Sequence, residues 1–208
     1  PHPAMAHDSL RTGRGRWRLL GLFLMGAAPG LASYFMYYVV RPEGRRNYGE
    51  LITPQKSLPD VQGRSLEGQP LLLRQLKGQW LLVSVAGANC DAKCQAHLYL
   101  QRQLREGLGK DKERVDWVWL ISDDAQVPAS ALDALKGATV LRVPTLALAN
   151  WLAPAAGAQL QDHLYVVDPI GNWMMRFPAS LDVSSAAKAR RDLERLMRAS
   201  AFWDQGGR

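Results

Sequence analysis

Cysteine is nearly absent from this 208-residue chain: there are two, Cys90 and Cys94, so any thiol or soft-metal chemistry must use that pair. Histidine is also scarce, with only His2, His7, His97 and His163 to supply an imidazole. Charge is missing from Leu19 to Val40, 22 residues that are long enough to cross a hydrocarbon core of about 30 Å as a helix. A cleaved signal peptide has a shorter apolar stretch followed by a small-x-small site, whereas this run ends in Tyr37, Tyr38 and then Arg41, which favours an uncleaved anchor. Strong charge asymmetry is lacking where a nucleic-acid binder would need it. The net charge is +7, but residues 1–46 carry seven arginines against Asp8 and Glu43, and residues 47–208 carry 19 basic against 17 acidic side chains. The basicity belongs to the membrane-flanking segments, so nucleic acid is not expected as a partner; no small-molecule substrate is expected either.

What remains is 47% hydrophobic and large enough for a full core. Arg11, Arg14, Arg16 and Arg18 precede the span and slightly outweigh the charges after it. This bias puts residues 1–18 in the cytoplasm and the domain in the periplasm, with the span at 19–40 in the inner (cell) membrane. His2 and His7 then lie across the membrane from the domain. Residues 41–60, with Pro42, Gly44, Pro54 and Pro59, read as a tether, residues 61–200 as the domain and 201–208 as a tail.

After a short hairpin-like stretch over residues 68–80, Leu81–Ala86 is a continuous apolar run, the pattern of a strand buried on both faces. Asn89 can cap the helix that follows, whose buried face is marked by Leu98, Leu104 and Leu108 before Gly107 and Gly109 end it. A second apolar run, Val115–Ile121, completes a β-α-β unit. A less regular region, 128–159, holds one short helix around Ser130–Lys136. Two strands, Leu164–Val167 and Trp173–Phe177, flank the turn Asp168-Pro169-Ile170-Gly171, and a last helix covers roughly Ser184–Arg198.

Cys90 and Cys94 stand where the first strand gives way to the helix. There the unpaired amides and partial positive charge stabilise thiolate, with Lys93 between the two sulfurs. Two readings follow: a dithiol cycling through a disulfide, with Cys90 attacking and Cys94 resolving, or capture of Cu(I), which thiolates select. A bridge five residues long closes too small a loop for a purely structural role. His97 shares the helix face of the cysteines, and His163 opens the hairpin strand. Met174 and Met175 point to opposite faces of a strand and suit packing, Asp123 and Asp124 suit turns and caps, and Trp117, Trp119 and Trp173 suit the core.

The order β-α-β then β-β-α, with paired cysteines at the first helix, resembles the α/β thioredoxin-like fold, a central mixed sheet flanked by helices. Within it the chain is similar to the Sco/SenC family of membrane-anchored proteins of cytochrome c oxidase assembly. The resemblance rests on the anchor and tether, the stretch QPLLLRQLKGQWLLVSVAG, the three-residue spacer between the cysteines and the hairpin LYVVDPIGNWMMRFP, over about residues 60–200. It implies a membrane protein of oxidase biogenesis whose partners are oxidase subunits or assembly factors. Its action would be thiol–disulfide exchange, transient Cu(I) binding or both, through Cys90 and Cys94 with His163 as candidate third ligand. Thiol–disulfide oxidoreductase activity is left open, as is a non-catalytic assembly subunit that docks without needing its thiols. Two departures stand out: Asp91 and Gln95 follow the cysteines where the family carries proline, and Leu160 occupies the place of the copper-binding histidine, three residues from His163. An odd shift along an extended segment reverses the face a side chain presents.

Overall fold

The computed structural model describes residues 8–40 and 47–204. The expected N-terminal residues 1–7, the first part of the tether at 41–46 and the last four residues of the tail lie outside them. The chain divides into two compact units, Pro1–Arg46 and Asn47–Arg208.

In the first unit, α1 (Asp8–Phe35) continues into a π-helical turn, Met36–Val40. Within this stretch Gly15–Tyr38, 24 residues with mean hydropathy 1.6, is long and apolar enough to cross a membrane. Pro29 sits inside the helix.

The second unit is built on one eight-stranded mixed sheet. Its elements in chain order are β1 (Glu50–Ser57), β2 (Gln62–Arg64), β3 (Pro70–Leu72), β4 (Trp80–Ala86), α2 (Ala92–Glu106), β5 (Val115–Ile121), α3 (Ala129–Leu132), β6 (Thr139–Arg142), α4 (Thr145–Trp151), β7 (Leu164–Val167), β8 (Asn172–Arg176) and α5 (Ala186–Ser200). The strand order is β1-β8-β7-β4-β5-β6-β2-β3. β4, β5 and β6 run parallel, and β7 and β8 add antiparallel on the other side of β4. Every residue of β4 is buried, as its unbroken apolar run requires. Leu81, Val83 and Val85 face a core closed by Leu148, Trp151 and Leu152 from α4 and the residue after it. Leu82 faces the opposite core, with Leu100 and Leu104 of α2 and Leu193 and Met197 of α5. Trp117, Trp119 and Trp173 are all buried, as is Met175, with Met174 half-buried.

Three expectations need correction. Residues 50–57 are not free tether but an edge strand, β1, paired antiparallel with β8. Pro54 is tolerated because β1 lies at the sheet edge and its register shifts between Leu51 and Lys56, so no ladder bond is required of it there. The region 128–159 is more regular than expected, adding β6 and α4. β6 extends the parallel sheet beside β5, and α4 starts directly after Pro144, whose fixed φ suits a helix start. The helix after β4 is capped by Asp91 rather than Asn89: the Asp91 side chain accepts from the Cys94 N–H at 2.9 Å.

Candidate redox site at the carboxyl end of the sheet

β4 ends at Ala86, and the chain must turn sharply before α2 begins. The turn closes by a bond from the Cys90 N–H to the Gly87 carbonyl, 3.1 Å. It is fastened from the next strand: the Asp123 carboxylate, just beyond β5, accepts from the Ala88 N–H at 3.1 and 3.3 Å and from the Ala125 N–H at 3.1 Å. Gly87 makes this approach possible, since a Cβ there would lie 2.5 Å from Asp123 Oδ2. Asp123 is thus the turn-binding residue its sequence position suggests. Cys90 has a φ of 38°, the left-handed region that residues with a side chain seldom adopt and that costs on the order of 1–3 kcal/mol. The Gln95 side-chain amide donates to the Cys90 carbonyl at 3.1 Å and helps to hold it there.

Cys90 and Cys94 form a disulfide with their Cα atoms 5.0 Å apart. Both are buried, in a small cluster with Ala86, Leu98, Trp119 and Ile121. The bridge sits across the first turn of α2, with Cys90 before the Asp91 cap and Cys94 within the helix. On reduction, the N-terminal amides and the helix dipole would favour thiolate at this end.

Beside the bridge lies a cavity of about 280 Å³, lined by both cysteines and by Ser84, Lys93, His97 and Gln161. Sequence reading singled out the cysteines and His97 but missed Ser84. A lone serine in an apolar strand looks like a neutral packing residue until the sheet places Ser84 along the cavity, its Oγ buried and without a hydrogen-bond partner among the described residues. His97, one helical turn beyond Cys94, is 6% exposed, and its ring makes no hydrogen bond among the described residues. Burial lowers its pKa below the ordinary histidine value, with the Lys93 charge acting in the same direction and Asp162 and Asp91 opposing. Lys93, between the cysteines, pairs with Asp162 of the 3₁₀ turn Leu160–Asp162, which precedes β7. The Asp162 carboxyl is held below its ordinary range by the Gln159 N–H and by Lys93.

His163 is not among the residues lining this cavity, although it is near enough to act on His97 through its charge. It is 1% exposed, and both ring nitrogens are committed to backbone: Nε2 accepts from the Ala155 N–H at 3.1 Å and Nδ1 faces the Phe177 carbonyl at 2.8 Å. An acceptor at Nε2 leaves the proton on Nδ1, so the ring is neutral and donates to Phe177. Burial lowers its pKa, and the bond to Phe177 works against that shift. The placement of His163 as third metal ligand with Cys90 and Cys94 therefore meets a physical obstacle: neither nitrogen has a free lone pair. Among the described residues, no group of three or more His, Cys, Asp or Glu side chains is arranged to hold a metal ion.

Known structures share this architecture. Apo Sco1 of Thermus thermophilus is similar over 72% of this chain and 96% of its own, with 17% identity and a TM-score of 0.57. Yeast Sco1 with copper bound is similar over 71% and 96%, with 13% identity and a TM-score of 0.54. BsSco, described as a member of the Sco family of cytochrome c oxidase assembly proteins with a disulfide switch, is similar over 72% and 96%, with 13% identity and a TM-score of 0.50. At these identities the likeness establishes the thioredoxin-like fold. No curated protein sequence matches the chain. The sequence model of one family does match, over residues 80–200, which takes in the strand, the dithiol helix, the hairpin and the last helix. The chain thus belongs to the family of the transmembrane-like, thioredoxin-like C-terminal domain.

Proposed function

We propose that the Cys90–Cys94 pair cycles between disulfide and dithiol and serves cytochrome c oxidase biogenesis from a single-pass anchor. In this reading residues 1–18 are cytoplasmic, the span lies in the inner membrane and the domain, Asn47 onward, faces the periplasm. The observation that carries it is a disulfide at a helix N-terminus, bordering a cavity at the carboxyl end of a thioredoxin-like sheet. The exchange balances without a further reagent. A partner thiolate attacks Cys90 Sγ, the Cys90–Cys94 bond breaks, and its electron pair goes to Cys94 Sγ, which takes up a proton. A second partner thiolate then attacks the partner's own sulfur in the mixed disulfide and releases Cys90 as thiolate. The domain is reduced by two electrons and the partner oxidised by two. The disulfide switch described for BsSco supports this reading, as does its place among oxidase assembly proteins.

Transient Cu(I) holding is the second reading, favoured by the two thiolates that reduction would expose side by side, a donor set that suits a soft ion. His163 is bound through both nitrogens, and among the described residues no three His, Cys, Asp or Glu side chains are arranged around one ion, so the reading rests on the two sulfurs.

The test replaces both cysteines by serine in a host that depends on this protein for its oxidase. Loss of oxidase assembly is expected. Undiminished assembly would reject the thiol chemistry and leave a docking subunit. Titration of the reduced full-length protein with Cu(I) separates the two readings, since failure to bind one equivalent removes the copper arm.

A further inference from the structure

The disulfide has two sides, and only one of its cysteines borders a cavity on both. The cavity described above touches Cys90 and Cys94, whereas a second, of about 260 Å³, touches Cys90 alone. This second cavity is a groove between α2 and the α3 segment. One wall is Gln95, Leu98, Tyr99 and Arg102, the i, i+3, i+4 and i+7 positions of a single helix face, and the other is formed by Pro128, Ala131 and Ala134. Leu98 is buried, while the Tyr99 ring, 57% exposed, stands up along the edge.

Arg102 closes the far end. It is exposed, and its guanidinium makes no ion pair or hydrogen bond among the described residues. The Glu106 carboxylate, four residues on, is bonded to Lys112 and Arg105 and feels the Arg102 charge only through space. The groove therefore has Cys90 at one end, apolar and aromatic surface in the middle and, at the other end, an exposed cation that is held in no ion pair among the described residues.

Building on the thiol–disulfide reading, we propose that this groove is the substrate-docking surface. Its occupant is an extended segment of a partner protein that brings a cysteine to Cys90, lays an apolar residue against Leu98 and Tyr99, and places an aspartate or glutamate on Arg102. Charge complementarity selects the acid, and the exclusion of Cys94 from the groove makes Cys90 the sulfur attacked. From Gln95 to Arg102 the helix rises about 10 Å, which an extended chain at about 3.3 Å per residue covers in roughly three to four residues. The acid is thus expected about that far from the reacting cysteine.

The test uses the oxidised full-length chain in detergent micelles and synthetic dithiol peptides with an apolar residue beside the reacting cysteine and Asp or Lys four residues to either side. Peptide oxidation is followed by mass spectrometry after acid quench. The Asp peptides are expected to react about threefold faster than the Lys peptides at low salt, the size of effect a surface ion pair allows, with the preference fading as salt is raised. Arg102→Glu, an exposed change that leaves the disulfide intact, should invert the preference. An Asp-to-Lys ratio that is the same in wild type and Arg102→Glu overturns the groove while leaving the thiol reading in place. Oxidation of neither peptide overturns both.

Discussion

The Asp123 carboxylate reaches back across Gly87 to the backbone of Ala88, tying the end of β5 to the turn that presents Cys90. The turn leading into the strained backbone at Cys90 is fastened from the neighbouring strand's exit, and Gln95 of α2 holds the Cys90 carbonyl itself.

Asp123→Ala is expected to lower stability by about 1–3 kcal/mol, the cost of leaving partly buried N–H groups unsatisfied, and to loosen the turn. Gly87→Ala should act in the same direction, because a Cβ 2.5 Å from Asp123 Oδ2 forces the carboxylate away from Ala88. Urea denaturation of the oxidised proteins measures both, and an unchanged midpoint in Asp123→Ala would show that the clasp contributes nothing.

Removing the cap of α2 is a smaller perturbation. Asp91→Ala loses the bond to the Cys94 N–H and is expected to cost about 1 kcal/mol, whereas Asp91→Ser should retain most of it. Equal destabilisation by the two substitutions would argue that the carboxylate acts by charge and not by capping.

His163→Ala should destabilise the domain by about 2–4 kcal/mol, since it strands the Ala155 N–H and the Phe177 carbonyl together. Its Cu(I) affinity in the reduced state should match that of the wild type. A large loss of copper affinity at preserved stability would restore His163 as a ligand.

Acid should weaken the fold in a defined window. The pKa values of His97 and His163 are both lowered on folding, chiefly by burial. The unfolded chain therefore binds protons first, and stability present above the ordinary histidine value of about 6.5 is lost as pH falls through the lower folded values. Asp162, also lowered, adds a further loss only below the ordinary carboxylate range. Urea midpoints taken from pH 8 to 5 should fall with pH, and less so in His97→Leu; a flat profile contradicts the neutral-imidazole assignment.

Much of this was legible in the sequence where local pattern and burial agree. The apolar run of β4 required two covered faces, and Asp168-Pro169-Ile170-Gly171 specified the hairpin turn, whose Gly171 N–H donates to the Asp168 carbonyl at 2.9 Å. β1 was illegible because an edge strand with proline and mostly exposed side chains carries no periodic signal; only Ile52 is half-buried. Asn89 and Asp91 are equally good caps by type, and the left-handed turn at Cys90 decided between them. His97 could be placed on the cysteine face by counting, but its depth depends on the sheet beneath it. The commitment of His163 to Ala155 and Phe177 joins residues 8 and 14 positions away, through contacts that no spacing rule encodes.

The clasp of Lys93 to Asp162 and the cap from Asp91 hold the three residues between the sulfurs at two points. Opening the bridge would leave Cys94 where it was, poised over its former partner. Any adduct captured at Cys90 would then face a nucleophile at very high effective concentration and be short-lived. The protein should act as a brief handler of thiols that lets its clients go quickly, and a lasting complex for isolating those clients calls for Cys94→Ser.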